Sequence, residues 1–539
     1  MDKKNGKALK AKAEEHHAAY TSKADTGNCE HVKNEKAKKN QKVLKAKVED
    51  NHAAYTSESD TESYENTKPA KADEKKDGKA LKAGGWYVVS SFLNKALSAI
   101  LAPILTRILT KEEFGDFSNF SSWCGLLMVI TSLNLSNVVL RAKFDYEADD
   151  EYDRYLSTIC VTTITSTAVF YFIVLLFPGF FTKLFGMDML YVHIMFLYLL
   201  FDPAYNFYMA KQRVYLKYKA VSAITLVSSF VTLGGSILLA SSMDNGFLGR
   251  TIGFVTPTIA IGLVVYISYI FKGRSVRKDM IAYSLKISLP LIPHYISTRI
   301  LYSSDRIIIK QFCSSEDVAV YSLGYTISSL VTMFQGSMNG AYLPWFYEQL
   351  KKERFRQIRK VSSLLNFSAL YIEVGVLLLS PELILIFGGQ KYMDALRVMP
   401  PVVAGVTVNF IVGLYNSYQH YMKNSASVSM ATMTAAVVNL GLNILLIPKY
   451  GYVAAAYTTL VGYLVMLTIY VILLKKSEYW KVPNHPLLLS SAAGSILISL
   501  VFPWIYTQTV LRFVLSGVFI VATMILGAYL LKKYKWKKS

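Results

Sequence analysis

A chain of 539 residues has room for three or four soluble domains of roughly 150 residues each, but its composition excludes an ordinary soluble surface. Apolar residues make up 53% of it and charged residues only 18%, against the roughly 25% charged residues of soluble proteins. The formal net charge is nevertheless +21, so nucleic acid, a membrane surface and an anionic ligand all stay open as partners until the charge is located along the chain.

Residues 1–84 hold 19 Lys and 15 acidic residues, a net charge of only +4. KALKAKAEEHHAAYTS at 7–22 returns as KVLKAKVEDNHAAYTS at 42–57, a period of 35 residues, and GKALKAGG at 78–85 is a truncated third copy. Two complete copies are too few for a stacked solenoid. With few large aliphatic residues the segment reads as a disordered, Lys-rich cytoplasmic tail. Its LKAK segments could touch anionic headgroups, although the near balance of acids favours a solvated extension. Glu14, Glu15, His16 and His17 have metal-ligand chemistry but no scaffold. No short apolar core of a signal peptide is read within 1–84.

From residue 85 the chain breaks into apolar runs of about 20 residues, the length a helix needs to cross about 30 Å of hydrocarbon. The expected spans are 86–109, 118–140, 155–178, 188–210, 220–241, 249–271, 283–310, 318–347, 361–387, 395–421, 426–447, 452–474, 486–504 and 511–531. With a cytoplasmic N-terminus, the loops 141–154, 211–219, 272–280, 348–360, 422–425 and 475–485 and the end 532–539 fall inside. Together they carry 26 Lys and Arg, whereas the outside loops carry Lys111, Lys183, Lys391 and Lys449. That asymmetry obeys the positive-inside rule and places both termini in the cytoplasm. Trp86, Tyr87, Trp480 and Trp536 sit at span ends, as interfacial aromatics do. Most of the positive charge is thereby topological, and nucleic acid drops out as a partner. Cys29, Cys124, Cys160 and Cys313 show no metal-ligand or disulfide spacing and read as structural thiols.

TKEEFGDFS at 110–118, after the first span, resembles SSEDVAVYS at 314–322, after the seventh. Six spans separate the copies, so both halves insert in the same orientation. Two lobes related by a pseudo-two-fold axis along the membrane normal, with a cavity between them, are expected. The fold class is an all-α polytopic membrane protein of about 14 helices. Its domains are the tail 1–84, a six-helix lobe 85–280, a second six-helix lobe 281–475, and two further helices with a basic C-terminus in 476–539.

Several blocks carry a family resemblance: APILTRILTKEEFGDFSNF at 102–120, RAKFDYEADDEYDRYLSTI at 141–159, LPLIPHYISTRILYSSDRIIIKQF at 289–312, VAVYSLGYTISSL at 318–330, YLPWFYEQLKK at 342–352 and NLGLNILLIPKYGYVAAAYTT at 439–459. In this order they resemble the Wzx-like polysaccharide (oligosaccharide) flippase branch of the multidrug/oligosaccharidyl-lipid/polysaccharide exporter superfamily, over about 85–475. The resemblance implies two six-helix bundles and movement of a lipid-linked glycan between leaflets of the bacterial cytoplasmic membrane. The substrate it implies is a polyprenyl-pyrophosphate-linked oligosaccharide, precursor of a capsule, exopolysaccharide or other cell-surface polymer. Membrane lipids, and the glycosyltransferases and polymerase of such a pathway, are the implied partners. A peptidoglycan-precursor flippase and a cation-coupled drug exporter of the same superfamily are the alternatives; span one lacks the acidic residue such exporters tend to place there.

Charged side chains within spans are costly and normally face a cavity or a partner. Lys95 lies near the middle of span one, beside Ser91, Ser98 and Ala102. Span seven carries Tyr295, Arg299, Tyr302 and Arg306 on one helical face, preceded by Pro290 and Pro293, where a kink and a gate are expected. These residues define a cationic, aromatic-lined substrate cavity in which guanidinium groups grip phosphate and tyrosines stack on sugar rings. Arg306 has the alternative of pairing with Asp305 or Glu373. Glu373 in span nine and Asp202 before Pro203 in span four are candidates for proton or ion coupling, with static ion pairing as the competing role. Asn439 and Asn443, one turn apart, are expected to bond across helices. No phosphate-binding glycine loop, nucleophile elbow or metal-spaced His/Cys cluster points to catalysis, a cofactor or a metal. The acidic run Asp149, Asp150, Glu151 and Asp153 reads as a solvated loop.

Overall fold

Helices cover the apolar segments because lipid offers no partner to a backbone N–H or C=O, and a helix satisfies both internally. A computed structural model describes residues 100–536, with Leu93 and Leu97 before them, and the side chains through Ala528. The repeated tail, Lys95, Trp86 and Tyr87 lie outside the described residues.

The chain is helical through 100–108 and continues into α1 (Lys111–Thr131), α2 (Asp149–Leu176), α3 (Met189–Val214), α4 (Tyr218–Ser242) and α5 (Gly246–Gly273). Next come α6 (Lys278–Ser288), α7 (Ile292–Phe312), α8 (Ser315–Lys351) and α9 (Phe355–Leu378). The last five are α10 (Met399–Tyr421), α11 (Ser425–Tyr450), α12 (Tyr452–Lys475), α13 (His485–Thr507) and α14 (Thr509–Trp536). Short helices Val139–Asp145, Pro178–Phe185 and Ser380–Phe387 adjoin some of them. Among the described residues nine helices are long and apolar enough to cross a membrane, or ten if the helix pair bent by 83° before α3 counts as one span. Helices α1, α7 and α8 are too polar to join that set, although they overlie the expected spans 118–140, 283–310 and 318–347.

Two bundles result. In the first, α5 packs on α2, α3 and α4; in the second, α10 packs on α8, α9, α12 and α13, while α11 lies between α7 and α12. Burial within the protein covers 83% of the apolar stretch of α10 but 11% of those of α4 and α14. The first is therefore an axial helix, and the other two turn most of their surface outward to lipid. At the α4–α5 crossing Gly253 lies against the backbone of Gly235 and Ser236, where any Cβ would come within 2.4 Å of the Ser236 nitrogen.

The internal duplication is visible in the caps. Thr110 opens α1 and Ser314 opens α8, and each closes a capping box, with Glu113 and Asp317 respectively. The two equivalent helices meet each other. Gly115 of α1 rests on the backbone of Ser315, next to Ala319, its own counterpart in the repeat. Around this contact Leu105, Leu109 and Phe114 of the first lobe join Ala319, Leu323 and Tyr392 of the second in one buried cluster.

With Tyr283 and Ser284, which bond to Asp145 and Tyr155, counted in the first bundle, the bonds between the bundles among the described residues gather at this end. Lys310 donates to Asp116 at 2.6 Å and Ser315 donates to the same carboxylate oxygen at 2.7 Å. Gln311 donates to the Leu184 carbonyl, Arg107 to that of Ile386, and Lys391 to that of Leu109. The loops 141–154, 211–219 and 272–280 meet at the opposite end, through Lys143–Asp149, Lys211–Asp153 and Arg277–Glu151. There, among the described residues, each ion pair stays within one lobe. Span seven is broken where its prolines lie. Helix α6 packs on α2 of the first lobe, a 3-10 turn over Leu289–Leu291 follows, and α7 then packs on α11 of the second.

Candidate inter-lobe site

Helix α7 forms the site because it borders both bundles, touching α1 on one side and α8, α11 and α12 on the other. Arg299, one of its exposed residues, lies at the seam: a Cβ on Gly125 of α1 would be 3.9 Å from its Nη1. The nearby acid is Asp202 of the first lobe, whose carboxylate interacts with the Arg299 charge. Asp202 is itself buried; Tyr198 donates to it at 3.1 Å, and Asn206 donates both to its carboxylate and to its carbonyl. Two residues named from sequence, one on each lobe, thus lie within reach of each other's charge without forming an ion pair.

The rest of the stripe divides. Arg306 donates to Ser322 at 3.1 Å and to the Tyr302 carbonyl at 2.9 Å, with its guanidinium 4.7 Å from the Tyr325 ring centre. Tyr302 lines a separate cavity inside the second lobe, and the half-buried Tyr295 packs edge-on against His294. Glu373 is fully buried in α9 and accepts from Ser495 of α13 at 2.7 Å, with no basic side chain among the described residues bonded to it. Lys95 lies outside the described residues, so its place relative to Arg299 is not part of this geometry.

Two features escaped the sequence. Asp305, weighed there only as a partner for Arg306, is buried and accepts from Tyr321, from Asn443 at 2.7 Å and from Thr459 at 2.7 Å. Asn439 completes the network by donating to Thr459 at 3.2 Å. All these donors are neutral, so among the described residues this carboxylate in the second lobe has no bonded cation. The signal was present in the spacing of Asn439 and Asn443 opposite Thr458 and Thr459, but which helix they faced was not. Arg250, one turn into α5, stacks 3.8 Å from the Phe117 ring centre, and its Nη1 is buried without a hydrogen-bond partner. Among the described residues no group of three or more His, Cys, Asp or Glu could hold a metal ion.

Outside the spans, Arg277 grips Asp279 with two bonds of 3.1 and 2.6 Å at the start of α6. These bonds hold the Asp279 carboxyl below its usual range and raise Arg277 in turn.

Two bundles bonded at one end, a charged seam between them and helices of membrane-crossing length define a two-lobed, multi-pass membrane protein. Residues 80–350, half of the chain, match the family model described as polysaccharide biosynthesis protein. The chain belongs to that family, the polysaccharide flippase group that its sequence blocks resemble. It is 22% identical over 378 residues to "Lsg locus putative protein 1" of Haemophilus influenzae, covering 67% of this chain and 89% of the relative. An uncharacterized membrane protein of Methanocaldococcus jannaschii is 20% identical over 486 residues, covering 84% and 94%. Among solved structures, the lipid II flippase MurJ in an inward closed conformation has a TM-score of 0.62 at 14% identity, over 82% of this chain and 99% of that one. An inward-facing multidrug resistance transporter of the MATE family reaches 0.51 at 13% identity, over 71% and 96%. These structural likenesses describe the fold.

Proposed function

We propose that the protein flips a polyprenyl-pyrophosphate-linked oligosaccharide across the cytoplasmic membrane, delivering precursor for a capsule, exopolysaccharide or other cell-surface polymer. One observation carries the reading: a span-borne guanidinium, Arg299, stands at the seam between two duplicated lobes. A phosphate-bearing headgroup entering that seam offers the anion that Arg299 can bind through paired N–H groups. The isoprenoid tail stays in lipid. Lys95 is the second cation assigned to this headgroup.

With the basic loops in the cytoplasm, the bonded end of the seam is the outer end, and the lobes are free to part on the inner side. Transport then alternates as the lobes rock, making the outer contact when the inner side opens and losing it when the outer side opens. Asp305 and Glu373, both buried with no bonded cation among the described residues, are the candidates to take up the coupling proton or monovalent cation. Pathway glycosyltransferases and a polymerase would act before and after the flip. Family membership supports a transport role over an enzymatic one.

The test is Arg299→Ala in cells, scored for surface polymer at matched membrane protein levels. Polymer is expected to disappear; normal polymer would refute the assignment. Reconstitution with labelled polyprenyl-pyrophosphate glycan and, separately, labelled lipid II shows which headgroup moves.

A further inference from the structure

The second lobe contains a cavity of about 400 Å³ between α7, α8, α10, α11 and α12, and Arg299 is not among the residues that line it. Its volume lies in the range of small-molecule sites. Among the described residues no Asp, Glu, Lys or Arg lines it, although the span that forms one wall carries two arginines elsewhere. Carboxamides and hydroxyls line it with two histidines, His294 and His420. Gln335 is 95% buried, yet its Nε2 has no hydrogen-bond partner, and the Oδ1 atoms of Asn339 and Asn416 are likewise buried without one. Buried polar groups in a finished core are nearly all paired, so several orphans lining one cavity mark a place for something that donates and accepts in turn.

Shape agrees with that chemistry. Gly336 and Gly413 both line the cavity, and a Cβ built on either meets no atom within 4 Å. Neither glycine is small because a neighbouring helix crowds it; each leaves room. Tyr302, which is 42% exposed, stands on the α7 wall and presents an aromatic face.

From this we infer that the cavity is a binding site for a neutral sugar residue of the carried glycan, separate from the charged seam that receives the pyrophosphate. Hydroxyl and acetamido groups both donate and accept, matching the unpartnered amides, and the Tyr302 face suits the apolar face of a pyranose ring. With His294 and His420 of the lining neutral, a phosphate or carboxylate finds no countercharge there and would lose its hydration. The inference rests on the flippase reading and deepens it: the seam recognises the carrier, and the second lobe recognises the glycan.

The test uses the full chain in lipid nanodiscs and saturation-transfer NMR with methyl glycosides of a neutral hexose, an N-acetylhexosamine and a uronic acid. Undecaprenyl pyrophosphate binding is measured in parallel. Gly413→Leu fills the cavity from an uncrowded position, and Gly413→Ala is the control for folding. A neutral glycoside is expected to bind the parent and Gly413→Ala, with at least tenfold weaker binding to Gly413→Leu and unchanged undecaprenyl pyrophosphate binding. Gln335→Leu, which keeps the volume and removes the orphan amide, should weaken the same glycoside. Equal binding to parent and Gly413→Leu, a preference for the uronic acid, or no glycoside binding beside intact undecaprenyl pyrophosphate binding would each overturn the sugar site alone. Loss of undecaprenyl pyrophosphate binding from the parent would instead overturn the flippase reading beneath it.

Discussion

A single methyl group at Gly115 should shift the lobe equilibrium. A Cβ there would stand 1.8 Å from the Ser315 carbonyl oxygen and 2.6 Å from its carbon. Both are backbone atoms, so no side chain can rotate away, and α1 and α8 must separate by about 1 Å at the seam. Overpacking of this kind costs about 1–3 kcal/mol, and a backbone neighbour puts Gly115→Ala near the upper figure. Alanine also favours the helix over glycine by about 1 kcal/mol, but that gain is present whether the lobes touch or not. Only the clash distinguishes the states. A cost of about 3 kcal/mol borne by the closed outer end corresponds to roughly a hundredfold change in the ratio of states. Spin labels at Glu112→Cys and Glu316→Cys, exposed and equivalent positions in the two helices, report it by pulsed EPR in a chain whose four native cysteines are replaced. The expected result is a distance distribution moved outward by several ångströms with thermal stability changed by no more than about 1 kcal/mol. An unmoved distribution with a stability loss of about 3 kcal/mol would refute the reasoning, because the lobes would then be one rigid body that absorbs the strain.

Asp305→Asn keeps the shape of the carboxylate and removes its charge. If Asp305 carries the coupling ion, flux driven by an ion gradient in proteoliposomes should fall at least tenfold while the melting temperature holds; unchanged flux would shift that role to Glu373. At the membrane surface, the Arg277–Asp279 pair should confer order on the start of α6 that depends on pH. The folded Asp279 carboxyl lies below its ordinary value, so the stabilisation is full above that ordinary value, about 4, and is lost as pH falls through the folded one. Hydrogen exchange over 274–284 should stay flat from pH 8 to about pH 5 once corrected for intrinsic rate, then accelerate. Asp279→Asn should exchange at the fast rate already at neutral pH, and identical profiles for the two chains would discard the pair's role.

The helices were legible because length and hydropathy are local properties. The expected segments from 118–140 onward all overlie helices, although 118–140 runs past the end of α1, 283–310 is divided between α6 and α7, and 361–387 takes in α9 and the short helix Ser380–Phe387. The lobe repeat followed from nine residues that include twin capping boxes. Partners were less legible. A period of 3.6 residues shows which side chains share a face, not what the face meets. It put Arg299 and Arg306 on one stripe, but Arg306 packs on Tyr325 while Arg299 looks across to the first lobe. Asp305 sat next to Arg306 in sequence, which drew attention to an ion pair; a step of about 100° round the helix sends it instead into the packing with α11 and α12. The cavity in the second lobe is lined from five helices, and no window of sequence contains it.

The broken seventh span has a mechanical consequence. Pro290 and Pro293 have no N–H to give to a carbonyl one turn back, so two of the bonds that bending at this point would otherwise rupture were never formed. The chain crosses from one bundle to the other here, through the three-residue turn Leu289–Leu291. A stroke can therefore concentrate its bending at this joint with little loss of backbone hydrogen bonding. The energy barrier to transport then falls on the contacts that open and close at the seam, where the cargo itself can alter it.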